Sequence, residues 1–360
     1  MRIKLLVLLG PIVGALAAFS GTDQAQRPNA AAPAASTAAQ ATARIVSAAQ
    51  ALVAALDDAG RTKVQFPFEG PQKTRWSNLP SGIFERQGLR LGDLTPSQRT
   101  AVTNLLTAAL SPDGYRKVTE IMKGDEVLRT GQSARAGGGG GGGRGGGRGG
   151  PAFGEDEYYL AFLGTPSASS PWMLQFGGHH LAINLTLAAA QASMTPSLPA
   201  AQPATYTIEG REIRPLGKEN DKAFALINAL DASQRSQAIL SYRVADLVLG
   251  PTEDGRTIQP EGIRASALTS AQQAMLMDLV REWTGIMTDA YAEPRMSELR
   301  SKLAQTYFAW SGPTTNGSAA YFRIQGPTLV IEYAPQGGVD HIHTIYRDPT
   351  NDYGAAIVRR

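Results

Sequence analysis

The sequence predicts an α+β fold of two diverged internal repeats, each a helical cluster followed by short antiparallel strands. Three observations lead to this prediction. Sequence blocks recur at fixed offsets, apolar residues at helical spacing open each copy, and short β-type runs follow them. Helical runs followed by hairpin-spaced strands favour antiparallel sheets over a doubly wound fold.

The repeat is visible first as matching blocks that lie 174 residues apart. Residues 55–61 (ALDDAGR) match 229–235 (ALDASQR), and residues 94–98 (LTPSQ) match 268–272 (LTSAQ). Several matched blocks at one offset indicate two copies of one unit.

Further along the chain the offset falls to 148 residues, where 159–164 (YLAFLG) align with 307–312 (YFAWSG). A glycine-rich segment at 137–150 is present only in the first copy and accounts for most of the difference. We interpret this segment as a surface loop, not as an RNA-binding Arg-Gly element. The first repeat is therefore assigned to 44–209 and the second to 210–360.

Each copy opens with sequence that is typical of helices. Apolar residues within 45–56 and within 225–230 recur at helical spacing. Residues 95–98 (TPSQ) place Thr at a helix cap, Pro in the first turn and Gln three residues after Thr, which predicts a capping box. Residues 269–272 (TSAQ) repeat this pattern.

A second helix and a set of strands complete each copy. Ser111 is placed to cap a helix that runs towards Leu128, and 294–305 is its predicted counterpart. The predicted strands are 158–163, 172–177 and 181–185 in the first copy, and 307–310, 321–324 and 328–333 in the second.

The N-terminus has the features of a secretory signal. Arg2 and Lys4 precede an apolar run at 5–19, which is shorter than the roughly 20 residues that a membrane helix needs. We expect a signal peptide at 1–25 and a disordered Ala/Pro-rich linker at 26–43. The expected location is periplasmic or extracellular, with no membrane span after signal removal.

The composition excludes several classes of protein. The 34 Lys and Arg residues nearly balance 31 Asp and Glu residues, so the net charge of +3 creates no general attraction for nucleic acid. No nucleic-acid partner is expected. The absence of Cys excludes disulfides, thiolate zinc sites, iron–sulfur clusters and a Cys nucleophile.

The four histidines form two close pairs, His179-His180 and His341/His343. Residues i and i+2 of a strand share a face, so His341 and His343 are placed to bind one ion. Adjacent residues of a regular strand face opposite ways, so either His179 or His180 is expected to join them. A bulge at 177–178 would bring both.

Three imidazoles suit a divalent transition metal, with Zn²⁺ preferred and Cu²⁺ also compatible. The two pairs are not equivalent under the repeat, so a shared site would lie between the copies. Two other interpretations stay open: a metal-free polar active site, and histidines that are hydrogen-bonded for structural reasons.

A dense polar stretch at 347–354 follows the second histidine pair. Its Asp348 or Asp352 is expected to orient an imidazole or act as a general base, and its Arg347 to clamp an anionic or carbonyl group of the substrate. These are the predicted catalytic residues. A locally formed Asp-Pro turn is the alternative interpretation.

Four segments also resemble a known family, namely 172–184, 219–235, 341–348 and 351–354. They are similar to the family catalogued as domain of unknown function 3500. The resemblance covers most of the chain after about residue 44, and its two histidine motifs are the most specific part. It implies no particular activity.

The sequence thus predicts an exported protein with a histidine metal site that performs metal-assisted hydrolysis or oxidation of an unidentified small-molecule or polymer substrate. In the hydrolytic version the metal lowers the pKa of a bound water, and Asp348 is the base or the orienting group. The alternative is a non-catalytic extracytoplasmic protein that binds a metal or a small ligand.

Overall fold

Two runs of helices each precede a run of strands in the computed structural model, which describes residues 37–131 and 150–359. The chain therefore has the predicted α+β class. The predicted signal peptide at 1–25, the first part of the predicted linker at 26–36 and nearly all of the glycine-rich loop lie outside the described residues. In the part that is described, no helix is both long and apolar enough to span a bilayer.

The α-helices of the described residues are α1 (Ala38–Ala54), α2 (Asp58–Val64), α3 (Pro96–Ala109), α4 (Pro112–Thr130), α5 (Gly217–Ala229), α6 (Ala232–Ala238), α7 (Ser270–Thr284), α8 (Asp289–Ser301) and α9 (Ala355–Val358). The strands are β1 (Gln65–Phe66), β2 (Leu89–Arg90), β3 (Tyr159–Leu163), β4 (Trp172–Gly178), β5 (Leu181–Ala188), β6 (Gln191–Ser193), β7 (Leu198–Pro199), β8 (Tyr206–Ile208), β9 (Arg211–Ile213), β10 (Ile263–Arg264), β11 (Tyr307–Ser311), β12 (Tyr321–Gly326), β13 (Leu329–Pro335) and β14 (Ile342–Arg347).

The predicted helix starts are largely confirmed by their caps. Thr95 and Thr269 each form a reciprocal capping box with the glutamine three residues later. The Oγ of Ser111 accepts a hydrogen bond from the N–H of Gly114 at 2.9 Å, so Ser111 caps α4 as expected. These signals act within one turn of chain, which is why local sequence is enough to predict them.

The predicted start of α8 at Pro294 is wrong, because the helix begins at Asp289. Thr288 has an extended backbone directly before it (φ −58°, ψ 150°). Tyr291 and Ala292 are buried in its first turns. Their tertiary packing lengthens the helix on the N-terminal side of the proline.

Helix α1 also begins earlier than expected, inside the predicted linker at 26–43. Thr37 and Gln40 form a capping box at its start. Ala41 in its first turn is fully buried. An alanine-rich segment thus becomes helical where a cap starts it and a core packs against it.

Three sheets hold the described strands. A seven-stranded sheet has the order β1-β3-β4-β5-β6, with β2 beside β3 and β7 beside β5. A five-stranded sheet has the order β10-β11-β12-β13-β14, and β8 pairs with β9. Apart from the short parallel β1–β3 pair the ladders are antiparallel, as predicted.

The segment 197–201 connects the two large sheets through backbone hydrogen bonds. Its central part, β7, pairs with β5. Ser197 exchanges two backbone hydrogen bonds with Tyr346, and Ala201 exchanges two with Ile342, all of 2.8–2.9 Å. Strand β14 is therefore held beside the start of β5, although the two strands belong to different sheets.

A buried ion pair joins Lys117 of α4 to Glu219 of α5, with side chains that are only 4% and 1% exposed. Lys117 Nζ also donates to the backbone carbonyl of Glu282 at 2.7 Å. Burial raises the pKa of Glu219, while the charge and hydrogen bond of Lys117 act to lower it. A buried carboxylate needs its partner, because its desolvation is otherwise uncompensated.

We predict that Lys117→Met lowers the free energy of unfolding by about 3–5 kcal/mol, because it leaves the Glu219 carboxyl buried without its cation. Urea unfolding measures the change. The matched control is Lys123→Met on an exposed position of the same helix, expected within about 0.5 kcal/mol of the wild type. Equal effects of the two substitutions would contradict a structural role for the pair.

Candidate metal centre

The turn between β4 and β5 and the start of β14 position the four histidines. His179 and His180 form the turn between β4 and β5, and His180 adopts a left-handed backbone (φ 60°) that non-glycine residues rarely take. His341 directly precedes β14, and His343 lies in it. The hairpin register stays regular through 177–178, so the bulge that would bring in both members of the first pair is not formed.

Segment 197–201 brings the turn and β14 together. The N–H of Ala200 donates to the carbonyl of His180 at 2.8 Å, and the N–H of Ala201 donates to the carbonyl of Ile342 at 2.9 Å. Two consecutive residues therefore hold the backbone at His180 and the backbone between His341 and His343. The meeting of the two histidine pairs is a direct consequence of this ladder.

Three imidazoles converge on one point. His341 Nε2 lies 2.9 Å from His180 Nε2 and 3.0 Å from His343 Nε2. One ligand nitrogen from each of the three lies within 4.8 Å of the others, a grouping that could hold a metal ion. The convergence predicted from the pairs is thus present, with His180 as the member contributed by the first pair.

Burial disfavours the protonated form of two of the three imidazoles. Burial first, and the neighbouring imidazoles second, lower the pKa of His180 well below its usual range. Burial and the proximity of His343 lower the pKa of His341 to about 4. Neutral imidazole is the form that binds a metal. His180 Nδ1 is buried and has no hydrogen-bond partner among the described residues.

Polar neighbours orient His343. Its Nδ1 lies 3.1 Å from a carboxylate oxygen of half-exposed Asp246. Burial acts to raise the pKa of Asp246, but its hydrogen bonds with His343 and with the Leu247 N–H outweigh this and lower it. Asn78 Nδ2 lies 3.2 Å from His343 Nε2. A carboxylate on the distal nitrogen is a common support for a metal-binding histidine.

His179 lies beside the three-histidine group but is not part of it. Its ring stacks on His180 with centroids 3.7 Å apart. Its Nδ1 lies 2.6 Å from a carboxylate oxygen of buried Asp125, whose other oxygen accepts from the Gly154 N–H at 2.8 Å. The Tyr158 hydroxyl donates to the His179 carbonyl at 2.8 Å. Asp125 therefore fixes the orientation of this imidazole.

The polar stretch predicted to be catalytic is engaged in ion pairs. Arg347 donates to Asp352 at 2.8 Å and to Asp254 at 3.1 Å. Asp348 pairs with Arg295 at 3.0 Å. Arg347 follows His343 by four residues on one strand, which separates their Cα atoms by roughly 13 Å. These contacts anchor the C-terminal segment to neighbouring parts of the chain.

Sequence reasoning missed three residues that touch the histidines: Asp125, Asp246 and Asn78. Each comes from a different part of the chain, and none belongs to a motif. Asp125 lies in a helix whose sequence shows only that it is amphipathic. No local pattern marks such partners, because only the tertiary fold brings them to the site.

The family model described as "Protein of unknown function (DUF3500)" matches residues 38–355. The chain belongs to this family, as the resemblance of its segments predicts. The match begins where α1 begins and includes both histidine pairs. No curated protein and no solved structure matches the chain.

We predict that His180→Asn abolishes stoichiometric metal binding, because it removes one of three converging nitrogens. Asparagine tolerates the left-handed backbone at this position, so the turn is preserved. His179→Gln is the matched control and is expected to keep the metal. Elemental analysis of both variants, purified without chelators, measures the difference.

The same analysis of a His341→Ala/His343→Ala double variant should also find no metal. Circular dichroism confirms that each variant is folded. Metal retained in His180→Asn, or lost in folded His179→Gln, would contradict the assignment of the three ligands.

Proposed function

We propose that this member of the DUF3500 family is an exported metal-dependent hydrolase whose centre is formed by His180, His341 and His343. One observation carries the proposal: His341 Nε2 lies 2.9 Å from His180 Nε2 and 3.0 Å from His343 Nε2, so histidines from two sequence-distant pairs converge. Burial lowers the pKa of His180 and of His341, which favours the neutral form that metals require.

The three Nε2 atoms would hold the ion. Neutral imidazoles favour Zn²⁺, and a three-histidine set is typical of zinc sites that also take a water molecule. Cu²⁺ is the second candidate, because imidazole also suits copper, and its presence would favour oxidation. The metal, when bound, supplies a water of lowered pKa for hydrolysis.

We assign proton transfer to His179, held by Asp125. Hydrogen bonding of Nδ1 to the Asp125 carboxylate leaves Nε2 as the proton acceptor, as in other carboxylate–histidine pairs that act as general bases. Stacking on His180 places this imidazole next to the metal ligands. Asp348, the base expected from the sequence, is paired with Arg295 instead.

An internal duplication would place the histidine site between two copies, and the bounds of several elements support it. Helix α6 has the bounds of α2 shifted by 174 residues, and β10 has those of β2 shifted equally. Strand β11 has the bounds of β3 shifted by 148 residues. We infer two diverged copies, with one histidine pair from each. A failure of 58–109 to superpose on 232–283 in an experimental structure would contradict this.

The proposed location outside the cytoplasm rests on the N-terminal pattern of Arg2, Lys4 and the apolar run 5–19. Amino-terminal sequencing of the chain recovered from the periplasm or medium is expected to start near residue 26. Recovery of an intact N-terminus from the cytoplasm would contradict export.

A non-catalytic metal-binding protein is the second candidate. The hydrolase and the binding protein differ in whether the bound ion accepts a further ligand. We predict that azide changes the visible absorption of the Co²⁺-loaded protein in a saturable way, because three protein ligands leave Co²⁺ free to bind an anion. Absorption spectroscopy during an azide titration makes the measurement.

His180→Asn serves as the control for cobalt bound elsewhere and should show neither the absorption nor the azide response. A wild-type protein that binds one Co²⁺ yet ignores azide would have a saturated site. That result would overturn the hydrolase proposal in favour of metal binding alone.

A further inference from the structure

A small cavity lies beside the seven-stranded sheet, between β3–β5 and the segment 71–87. Two guanidinium groups, those of Arg75 and Arg86, line it together with Gln72, Tyr159 and Gln175.

Neither arginine has an acidic partner in the described part of the chain. Arg75 Nη2 donates to the carbonyl of Glu85 at 2.9 Å. Arg86 Nη2 donates to three backbone carbonyls at 2.6–2.8 Å. In the described part of the chain, both guanidinium groups thus donate hydrogen bonds only to backbone carbonyls, which is unusual for partly buried arginines.

Each guanidinium also has a donor left over. Arg75 Nε and Arg86 Nη1 are buried and have no hydrogen-bond partner among the described residues, and neither does the acceptor Gln72 Oε1. An unsatisfied buried donor costs roughly 1–3 kcal/mol, and more when it is charged. The two unpartnered charged donors fit a ligand with anionic oxygens.

The two guanidinium groups contact the same aromatic ring, that of Phe84. Their Cζ atoms lie 5.7 Å and 5.3 Å from the ring centroid of Phe84. Like charges held around one ring repel each other unless an anion lies between them. Burial lowers the pKa of Arg86 to about 10, consistent with a cation that lacks its counter-ion.

The size of the cavity limits what enters it. Its volume of about 20 Å³ admits one or two water-sized groups, since a single water needs about 10–15 Å³. The two oxygens of a planar carboxylate meet this limit, whereas the four oxygens of a phosphate exceed it. Arginine forks also match carboxylate geometry.

We propose that Arg75 and Arg86 form a binding pocket for the carboxylate group of a small organic ligand. The pocket does not depend on the proposed hydrolase activity or on a bound metal. It is nevertheless adjacent in structure to the histidines, because Arg86 Nη2 donates to the carbonyl of Gly178, the residue before the histidine turn.

The test is a calorimetric titration of the folded chain with sodium acetate, at an ionic strength held constant with sodium chloride. We expect saturable binding at one site. Arg75→Gln should weaken it by about tenfold or more, because it removes a charge-assisted contact. Among the described residues the guanidinium of Arg75 makes one hydrogen bond, to the Glu85 carbonyl, so this variant is expected to fold, and circular dichroism verifies it.

Arg264→Gln is the matched control. Its guanidinium also lies over an aromatic ring, 5.7 Å from the Tyr307 centroid, but it is exposed and does not line the cavity. Acetate affinity should be unchanged in this variant and in metal-free His180→Asn. The expected binding of acetate therefore does not depend on whether the histidines bind a metal.

Three outcomes would overturn the pocket. Acetate that does not saturate, or that binds Arg75→Gln as well as wild type, would mean that the cavity holds only water or an adventitious ion. Tighter binding of methylphosphonate than of acetate would overturn the assignment to carboxylate.

Discussion

The backbone ladder of segment 197–201 is the constraint on which the histidine centre depends. Its consecutive residues Ala200 and Ala201 bond to the carbonyls of His180 and Ile342. Backbone hydrogen bonds in a buried position are costly to break, so the spacing between the hairpin turn and β14 is rigidly set. Preorganised ligands of this kind are what a metal centre requires, because small displacements weaken coordination.

Burial then decides the chemistry of the imidazoles. Four imidazoles lie together. Desolvation, and repulsion between imidazoles that would both be protonated, lower the pKa of His180 and of His341. Among the described residues, carboxylates contact the other two imidazoles: Asp125 holds His179, and Asp246 holds His343. The group thus combines two imidazoles that resist protonation with two that carboxylates orient.

The arginine pocket and the histidine turn share a structural element. Arg86 bonds to the carbonyls of Ser77 and Gly178, which precede Asn78 and the histidine turn. Asn78 in turn contacts His343 and accepts from the His180 N–H. The same two segments of chain therefore contribute to both the arginine pocket and the histidine group.

The sequence by itself determined whatever depends on short stretches of chain. Capping boxes at Thr95 and Thr269 start helices within one turn, and the two-residue period of β14 sets where His343 points. The α+β class and the family follow from such local patterns. Only the tertiary structure decided that His180 and not His179 joins the cluster, and that Asp125 supports the latter. Those outcomes rest on contacts between residues far apart in the chain, which no local spacing encodes.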